Sequence, residues 1–402
     1  MQHYDYIFTG SGLSALMTVY EMLLSGNFDD KSILLLDENA KKVNDRTWCF
    51  WDEEDTPPKG HPSKRGESLE KIVSKKWNQA IFANEKFNRV LELAPYQYKK
   101  INGLDFYELV FKKISEHKNI HFLNQKVVDF TELGNHCIVK TEQESFTCNK
   151  IFNSIYNPNA VTAQTKFTLI HQHFIGWFIK SKEPVFTPDC ATFMDFSVNQ
   201  KGNTRFMYVL PTSTTEALLE YTLFSKNLLP KEEYEAEIQQ YMKNLGITEY
   251  EIIEKEQGNI PMTCYPFWKH NTKNIINIGS AGGWTKASTG YTFKNAYKKS
   301  KVLVQFLEKN ISTSLEKTDF RKFHRKDKFW FYDLLLLDIL DSQNELGSKI
   351  FSSMFQLGNP AVIFKFLDEE TSFIEDLQVI WRCPKMIFVK ALFGRIRSLI
   401  AV

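Results

Sequence analysis

The string Gly10-Ser11-Gly12-Leu13-Ser14-Ala15 leaves this chain few ways to begin its fold. It follows the apolar run Tyr6-Ile7-Phe8-Thr9, and a helix-like pattern runs from Leu13 to Ser25. Ile33-Leu34-Leu35-Leu36 then reads as a second buried strand, which makes a βαβ unit. In such a unit Gly10 permits the tight turn and Gly12 lets the backbone approach a pyrophosphate. Ala15 lets the helix pack closely on the strand. Ser11, Leu13 and Ser14 complete a loop whose helix N-terminus attracts phosphate. Asp37 ends the second strand, where a carboxylate can bind a ribose hydroxyl. A dinucleotide site is expected here, and a tight turn without ligand is the alternative. The motif's place near the N-terminus favours FAD over NAD, a preference that rests in part on what is known of flavin-binding families.

A second glycine-rich turn, Asn277-Ile278-Gly279-Ser280-Ala281-Gly282-Gly283-Trp284, follows another strand-like run and precedes Thr289-Gly290-Tyr291. It resembles the late flavin-binding segment of the large two-dinucleotide-fold flavoproteins. The resemblance implies that Gly279, Gly282, Gly283, Thr289 and Gly290 approach the flavin, with the next helix aiming its N-terminus at the ring. Many such proteins carry an acid just after the first glycine, and Ser280 stands there in this chain. A glycine-rich strand-to-helix connection without ligand is the alternative.

Between these motifs the pattern changes. Residues 52–79, with Pro57, Pro58, Gly60 and Pro62, read as a surface excursion. Residues 104–117 read as helix, 120–155 and 166–224 as alternating strands, and 231–245 as an amphipathic helix. From 317 onward the chain reads as mainly helical. The fold class expected is therefore α/β. A Rossmann-type FAD-binding domain (1–160 and 270–316) is interleaved with an antiparallel-sheet substrate domain (161–269), and a helical cap (317–402) follows.

Composition narrows the function. The net charge of +2 comes from interspersed charges and excludes the basic stripe of a nucleic-acid binder. The six cysteines are scattered without a CxxC pair, so they read as reduced thiols of an intracellular protein. His171 and His173 share a strand face without further ligands and read as structural, so no metal site is expected. Neither a signal peptide nor a spanning helix is expected, which points to a cytoplasmic protein. The 33 phenylalanines, with 16 tyrosines and 8 tryptophans, allow two readings: an aromatic-rich core, or a pocket for a long apolar ligand.

Several further strings, in order along the chain, resemble the bacterial lycopene β-cyclases. They are Asp45-Arg46-Thr47-Trp48-Cys49-Phe50-Trp51, Gln172-His173-Phe174-Ile175-Gly176-Trp177, Phe193-Met194-Asp195-Phe196, Phe206-Met207-Tyr208-Val209-Leu210-Pro211, Leu218-Leu219-Glu220-Tyr221-Thr222, Ile260-Pro261-Met262 and Thr289-Gly290-Tyr291. The resemblance implies acid-initiated, non-redox closure of the acyclic ends of lycopene to β-rings, giving γ-carotene and then β-carotene. It also implies reduced FAD as cofactor, with NADPH as electron donor. The family commonly has a second acid after the key glutamate. Here that position is Tyr221, and Asp195 is the candidate to supply the missing charge.

The chemistry sets the requirements. Lycopene is a hydrocarbon, so cyclisation must begin by protonating a double bond. The acid must stay protonated near neutrality, which needs a desolvated pocket. The cation needs an anion or aromatic faces nearby, and water must be kept out. Glu220 is the candidate acid and Asp195 the candidate partner. Trp48, Phe50, Trp177 and Tyr291 are candidate substrate-lining aromatics, and each is also a candidate core residue. An FAD-dependent monooxygenase or other oxidoreductase acting on an apolar substrate is the alternative activity; a non-catalytic flavin or carotenoid binder is the third.

The tail from Pro384 to Ile400 mixes large apolar residues with Lys385, Lys390, Arg395 and Arg397. As a helix it could lie on a lipid surface and dock the protein on the inner face of the cell membrane, where lycopene resides. The alternative is a terminal helix packed on the protein.

Overall fold

A computed structural model of the chain describes residues 1–53, 67–311, 318–323, 327–356 and 358–400. The opening βαβ unit forms as its sequence requires. The strands Gln2–Thr9 and Ile33–Leu36 pair in parallel, and the helix Leu13–Ser25 lies between them in sequence. Their sheet runs in the order Ile120–Leu123, Ile33–Leu36, Gln2–Thr9, Ser145–Asn153, His136–Thr141, Val127–Leu133. Ile275–Asn277, just before the second glycine turn, returns to pair in parallel with Ser145–Asn153. Both glycine turns therefore follow strands that pair with Ser145–Asn153 in one sheet. Ser14 lies next to Gly279, where an added Cβ would stand 3.1 Å from the Ser14 Oγ.

A second seven-stranded sheet carries the order Tyr250–Thr263, Leu169–Ser181, Glu216–Ser225, Thr204–Pro211, Cys190–Asp195, Gln79–Asn84, Phe87–Glu92. It is wider than the interval 161–269, because two of its strands come from residues 79–92. Four consecutive strands, from Tyr250–Thr263 across to Thr204–Pro211, pair antiparallel. Leu218, Tyr208 and Phe193 point to one face, into a core shared with the C-terminal helices. Trp177, Leu219 and Tyr221 point to the other, beneath the helix Lys231–Asn244. This is the period-two alternation of a strand buried on both sides.

A small sheet of Thr47–Glu53, Tyr96–Asn102 and Val73–Trp77 stands between the two large ones. The surface excursion expected over 52–79 needs correction. Pro57, Pro58, Gly60 and Pro62 lie outside the described residues, but from Glu67 onward the interval is a short helix and strands. Its charged residues misled the reading: Lys76 pairs with Glu70 at the surface while Trp77 is fully buried and donates its indole N–H to the Pro211 carbonyl at 2.9 Å.

The C-terminal region is helical, as expected, with helices Lys328–Ser342, Gly347–Phe355, Pro360–Leu367, Phe373–Ile380 and Lys385–Ile400. Two features fasten it over the rest of the chain. Trp51 donates to the Phe364 carbonyl at 3.1 Å and sets its ring against Tyr291. The buried Lys286, after the second glycine turn, reaches Asp333 and Glu369 at 3.0 Å each. Burial alone would strip this lysine of its proton, yet the two carboxylates hold its pKa above the ordinary lysine value. Among the described residues no helix is long and apolar enough to cross a membrane.

Candidate active site

The first glycine turn has the conformation its spacing requires. Gly10 has φ +89°, and a Cβ there would strike the Ser154 Oγ at 2.4 Å, so no other residue fits. Around Gly12, by contrast, an added Cβ would meet nothing within 4 Å. Asp37 closes the turn: its carboxylate accepts from the Ser11 N–H at 2.6 Å and the Ser11 hydroxyl at 3.0 Å. Lys41 stands 3.4 Å from the same oxygen. Gly12 caps the first helix without any side-chain hydrogen bond, which leaves the helix N-terminus open to an anion.

One cavity of about 550 Å³ is lined by residues of this turn and of the second seven-stranded sheet. Its wall includes Gly12 and Leu13 from the first turn, and Ser280, Thr289, Gly290, Thr292 and Phe293 around the second. Trp48 and Tyr291 are also in the wall, with Lys41 and Arg46 as added cations. Two residues of this wall carry a buried polar atom, Thr289 Oγ1 and Gln172 Oε1, with no hydrogen-bond partner among the described residues. Unpartnered buried polar atoms are rare and call for a ligand or water. Together with the open space at Gly12 they fit a dinucleotide laid between the two glycine turns.

Glu220 also lines this cavity. Glu220 is 9% exposed and stands in a cross-strand row, with Tyr208 in register on one side and Gly176 on the other. Its Oε1 accepts a 2.6 Å hydrogen bond from the Thr222 hydroxyl. Burial first, and then the charge of Glu256, push the Glu220 carboxyl well above the usual carboxylate range. Such surroundings bias the carboxyl toward its protonated form.

Glu256 went unnoticed in the sequence. It belongs to the strand Tyr250–Thr263 and is also in register with Gly176, so the two glutamates flank one glycine. Three tyrosines, also in the wall, surround the row. The Tyr291 hydroxyl lies 3.3 Å from that of Tyr98 and 3.4 Å from that of Tyr208. Burial raises all three phenol pKa values, so their rings remain neutral.

Three candidate site residues lie away from Glu220 and the cavity, and Trp177 and Phe50 take the core alternative. Asp195 is buried on the opposite face of the sheet, where it accepts from the Tyr241 hydroxyl at 2.7 Å and the Ser197 N–H at 2.8 Å. Its register partner Met207 belongs to that same opposite core. Asp195 therefore does not pair with Glu220. Trp177, next to Gly176, must point the other way and packs beneath Lys231–Asn244, with Lys255 Nζ 4.6 Å from its ring centre. Phe50 stacks on Phe293 at 4.7 Å within the nucleotide-side core. The same alternation disposes of the question at Tyr221. Its side chain lies on the far face, with its hydroxyl 3.2 Å from Arg205 Nη1, so a carboxylate there would not have met Glu220.

With this geometry in hand, a family model described as lycopene cyclase protein matches residues 5–392. The chain belongs to the lycopene cyclase family. It is 23% identical over 299 residues to a lycopene beta-cyclase of Pantoea ananas, across 72% of this chain and 71% of that one. It is 29% identical over 134 residues to a lycopene beta-cyclase of Paracoccus sp. (strain N81106 / MBIC 01143), a match that spans 32% of this chain and only 34% of that relative.

Solved structures show the fold. A flavoprotein/dehydrogenase from Cytophaga hutchinsonii superposes with a TM-score of 0.60 at 11% identity, over 98% of this chain and 100% of that one. A geranylgeranyl bacteriochlorophyll reductase-like protein from Thermoplasma acidophilum gives 0.58 at 12% identity, over 98% and 100%. The p-nitrophenol 4-monooxygenase of Pseudomonas putida gives 0.57 at 10% identity, over 98% of each. The chain thus shares its overall architecture with these three proteins.

Proposed function

We propose that this protein is an FAD-dependent lycopene β-cyclase in which Glu220 is the general acid. The observation that carries the reading is a buried carboxyl, held well above the usual carboxylate range, in the wall of the cavity that also takes in the first glycine turn. Gly12, Thr289 and Gln172 offer the open space and unpartnered groups that FAD would take up, with Ser11, Leu13, Ser14 and Ala15 shaping the first turn. Gly279, Gly282, Gly283 and Gly290 would shape the second, and Asp37 would bind the adenosine ribose. Reduced FAD, when bound, supplies negative charge near the reacting end, and NADPH is the expected electron donor.

Glu220 protonates the terminal double bond of lycopene. The resulting tertiary cation is attacked by the neighbouring double bond, which closes a six-membered ring. Loss of a proton from that ring gives the β-end, with no net change in atoms or electrons. The faces of Tyr98, Tyr208, Tyr291 and Trp48 surround the cation's position, and Leu210 and Leu218 help to exclude water. Repetition at the second end converts γ-carotene to β-carotene.

The substrate reaches the cavity from a bilayer, and the C-terminal helices are the proposed docking surface on the inner face of the cell membrane. Phe373, Ile374 and Trp381 are 65%, 70% and 73% exposed, and Met386 and Phe393 in the last helix are 67% and 60% exposed. Large exposed apolar side chains in one stretch of chain mark an interaction surface. Of the tail's cations, Arg395 is not available to lipid. It is buried in a two-pronged pair with Asp338 at 2.8 and 2.5 Å.

The test is conversion of lycopene in liposomes by the purified, FAD-loaded protein under anaerobic reduction. A β-ring product of unchanged mass supports the reading. Oxygen uptake with NADPH and a product of added mass would make the protein a monooxygenase instead.

A further inference from the structure

We propose that Glu256 is the positioning residue of the acid, and that it and Glu220 form a pair holding a single exchangeable proton. The inference rests on the reading of Glu220 as the acid and deepens it. Strand pairing places Glu220 and Glu256 on either side of Gly176, in register with it from both neighbouring strands. The absent side chain of Gly176 is what lets them meet. A Cβ there would lie 3.1 Å from Glu256 Cγ, 3.2 Å from Glu256 Oε1 and 2.8 Å from Leu218 Cδ1. Both carboxyls line the same cavity. Two carboxyls this close in a poorly hydrated site do not both ionise, because each charge disfavours the other.

The surroundings decide which member keeps the proton. Burial pushes the Glu256 carboxyl up as well, but a hydrogen bond from Thr47 of the strand Thr47–Glu53 and the positive charge of Lys100 of the strand Tyr96–Asn102 act against that rise, with Glu254 on its own strand adding to it. Among the described residues no cation offsets the burial of Glu220. Thr222 donates to it, and the neutral groups Cys49, Tyr98 and Tyr208 lie around it. The proton therefore resides on Glu220, whose carboxyl donates to the Glu256 carboxylate while its other oxygen accepts from Thr222. The balance then closes. The proton passes from Glu220 to the less substituted carbon of the terminal double bond, leaving two carboxylates beside the new tertiary cation. The proton lost from the ring returns to this pair, which ends with one proton as it began.

The test compares Glu256→Gln, Glu256→Asp and Glu220→Gln with the wild-type holoenzyme in two measurements. The first is the pH dependence of lycopene cyclisation. Cyclisation needs protonated Glu220, so the rate falls as pH rises through the pKa of that group. Removing the neighbouring negative charge lowers this pKa, and in Glu256→Gln the alkaline fall moves to lower pH by about one unit, a tenfold weaker hold on the proton. Glu256→Asp keeps the charge and keeps the fall close to its wild-type position. The second is infrared titration of the carboxylic-acid carbonyl band that Glu220→Gln removes. In Glu256→Gln this band disappears at lower pH than in the wild type.

An alkaline fall and a carbonyl band that both stay in place in Glu256→Gln, whether or not the rate drops uniformly, would overturn the proposal. They would leave Glu256 a structural residue. If the wild-type protein makes no cyclised product, the function proposed for Glu220 fails, and the infrared titration alone still decides whether the pair exists.

Discussion

Glu220 and Glu256 sit on two strands that never touch each other, yet both are in register with Gly176 on the strand between them. A glycine at the midpoint lets two acids share one desolvated site in the wall of the cavity.

Glu220→Gln removes the acid while keeping shape and the bond from Thr222. A positioned general acid contributes about 10²–10⁴-fold. Turnover of lycopene should fall by at least about 100-fold, with flavin binding unchanged. Product chromatography and a flavin titration on the same sample check this.

The same substitution should stabilise the fold at neutral pH. A carboxyl whose folded pKa is raised contributes nothing to stability below its unfolded pKa. Above that pKa the unfolded chain releases its proton while the folded one still holds it, so stability falls as pH rises toward the folded value. The amide introduced by Glu220→Gln cannot titrate. Urea midpoints measured from about pH 5 upward, a window set roughly above the carboxyl's unfolded value, should decline less in the variant than in the wild type.

Gly176→Ala adds a methyl group where Leu218 Cδ1 would be 2.8 Å away and Glu256 Cγ 3.1 Å away. Overpacking of this kind costs about 1–3 kcal/mol. Activity should fall by more than stability alone explains, because the displaced atoms belong to the acid pair. Comparing kcat with the fraction folded separates the two.

Asp195→Asn tests the correction on the far face. It weakens the bonds from Tyr241 and Ser197 and should cost about 1–3 kcal/mol of stability. Activity per folded molecule should stay near wild type. A selective loss of kcat would return Asp195 to the site.

His173 gives an acid-side expectation. It is buried between Tyr234, 2.6 Å from its Nδ1, and Ser225, 2.7 Å from its Nε2. Burial lowers its pKa to about 4. A folded pKa below the unfolded one means the unfolded chain takes up a proton first, so stability should be lost as pH falls from about 6.5 toward 4. His173→Gln should flatten that stretch of the urea midpoint profile.

How far the sequence reached depended on how local each signal was. The Gly10–Ala15 turn, Asp37 and the second glycine turn were legible because each is a short contiguous string with a strand before it. Glu220 stood out as a lone acid in an apolar run. Glu256 did not, because it ends the charged run Glu254-Lys255-Glu256, which reads as a solvated face; only the pairing of distant strands turns it inward. Trp177 and Asp195 were misplaced for a related reason. Adjacent residues of a strand face opposite ways, so the register with Gly176 had to be known before the wall could be named. Tyr98 and Tyr208 reach the site from different sheets, which no local pattern reveals.

The most direct measurement is cyclisation of lycopene in D2O by the FAD-loaded, reduced protein, read by mass spectrometry. Acid initiation from Glu220, whose proton exchanges with solvent, predicts one deuterium retained for each ring formed, and at most about a hundredth of that product from Glu220→Gln. A ring product without deuterium, or full activity in Glu220→Gln, would contradict the account.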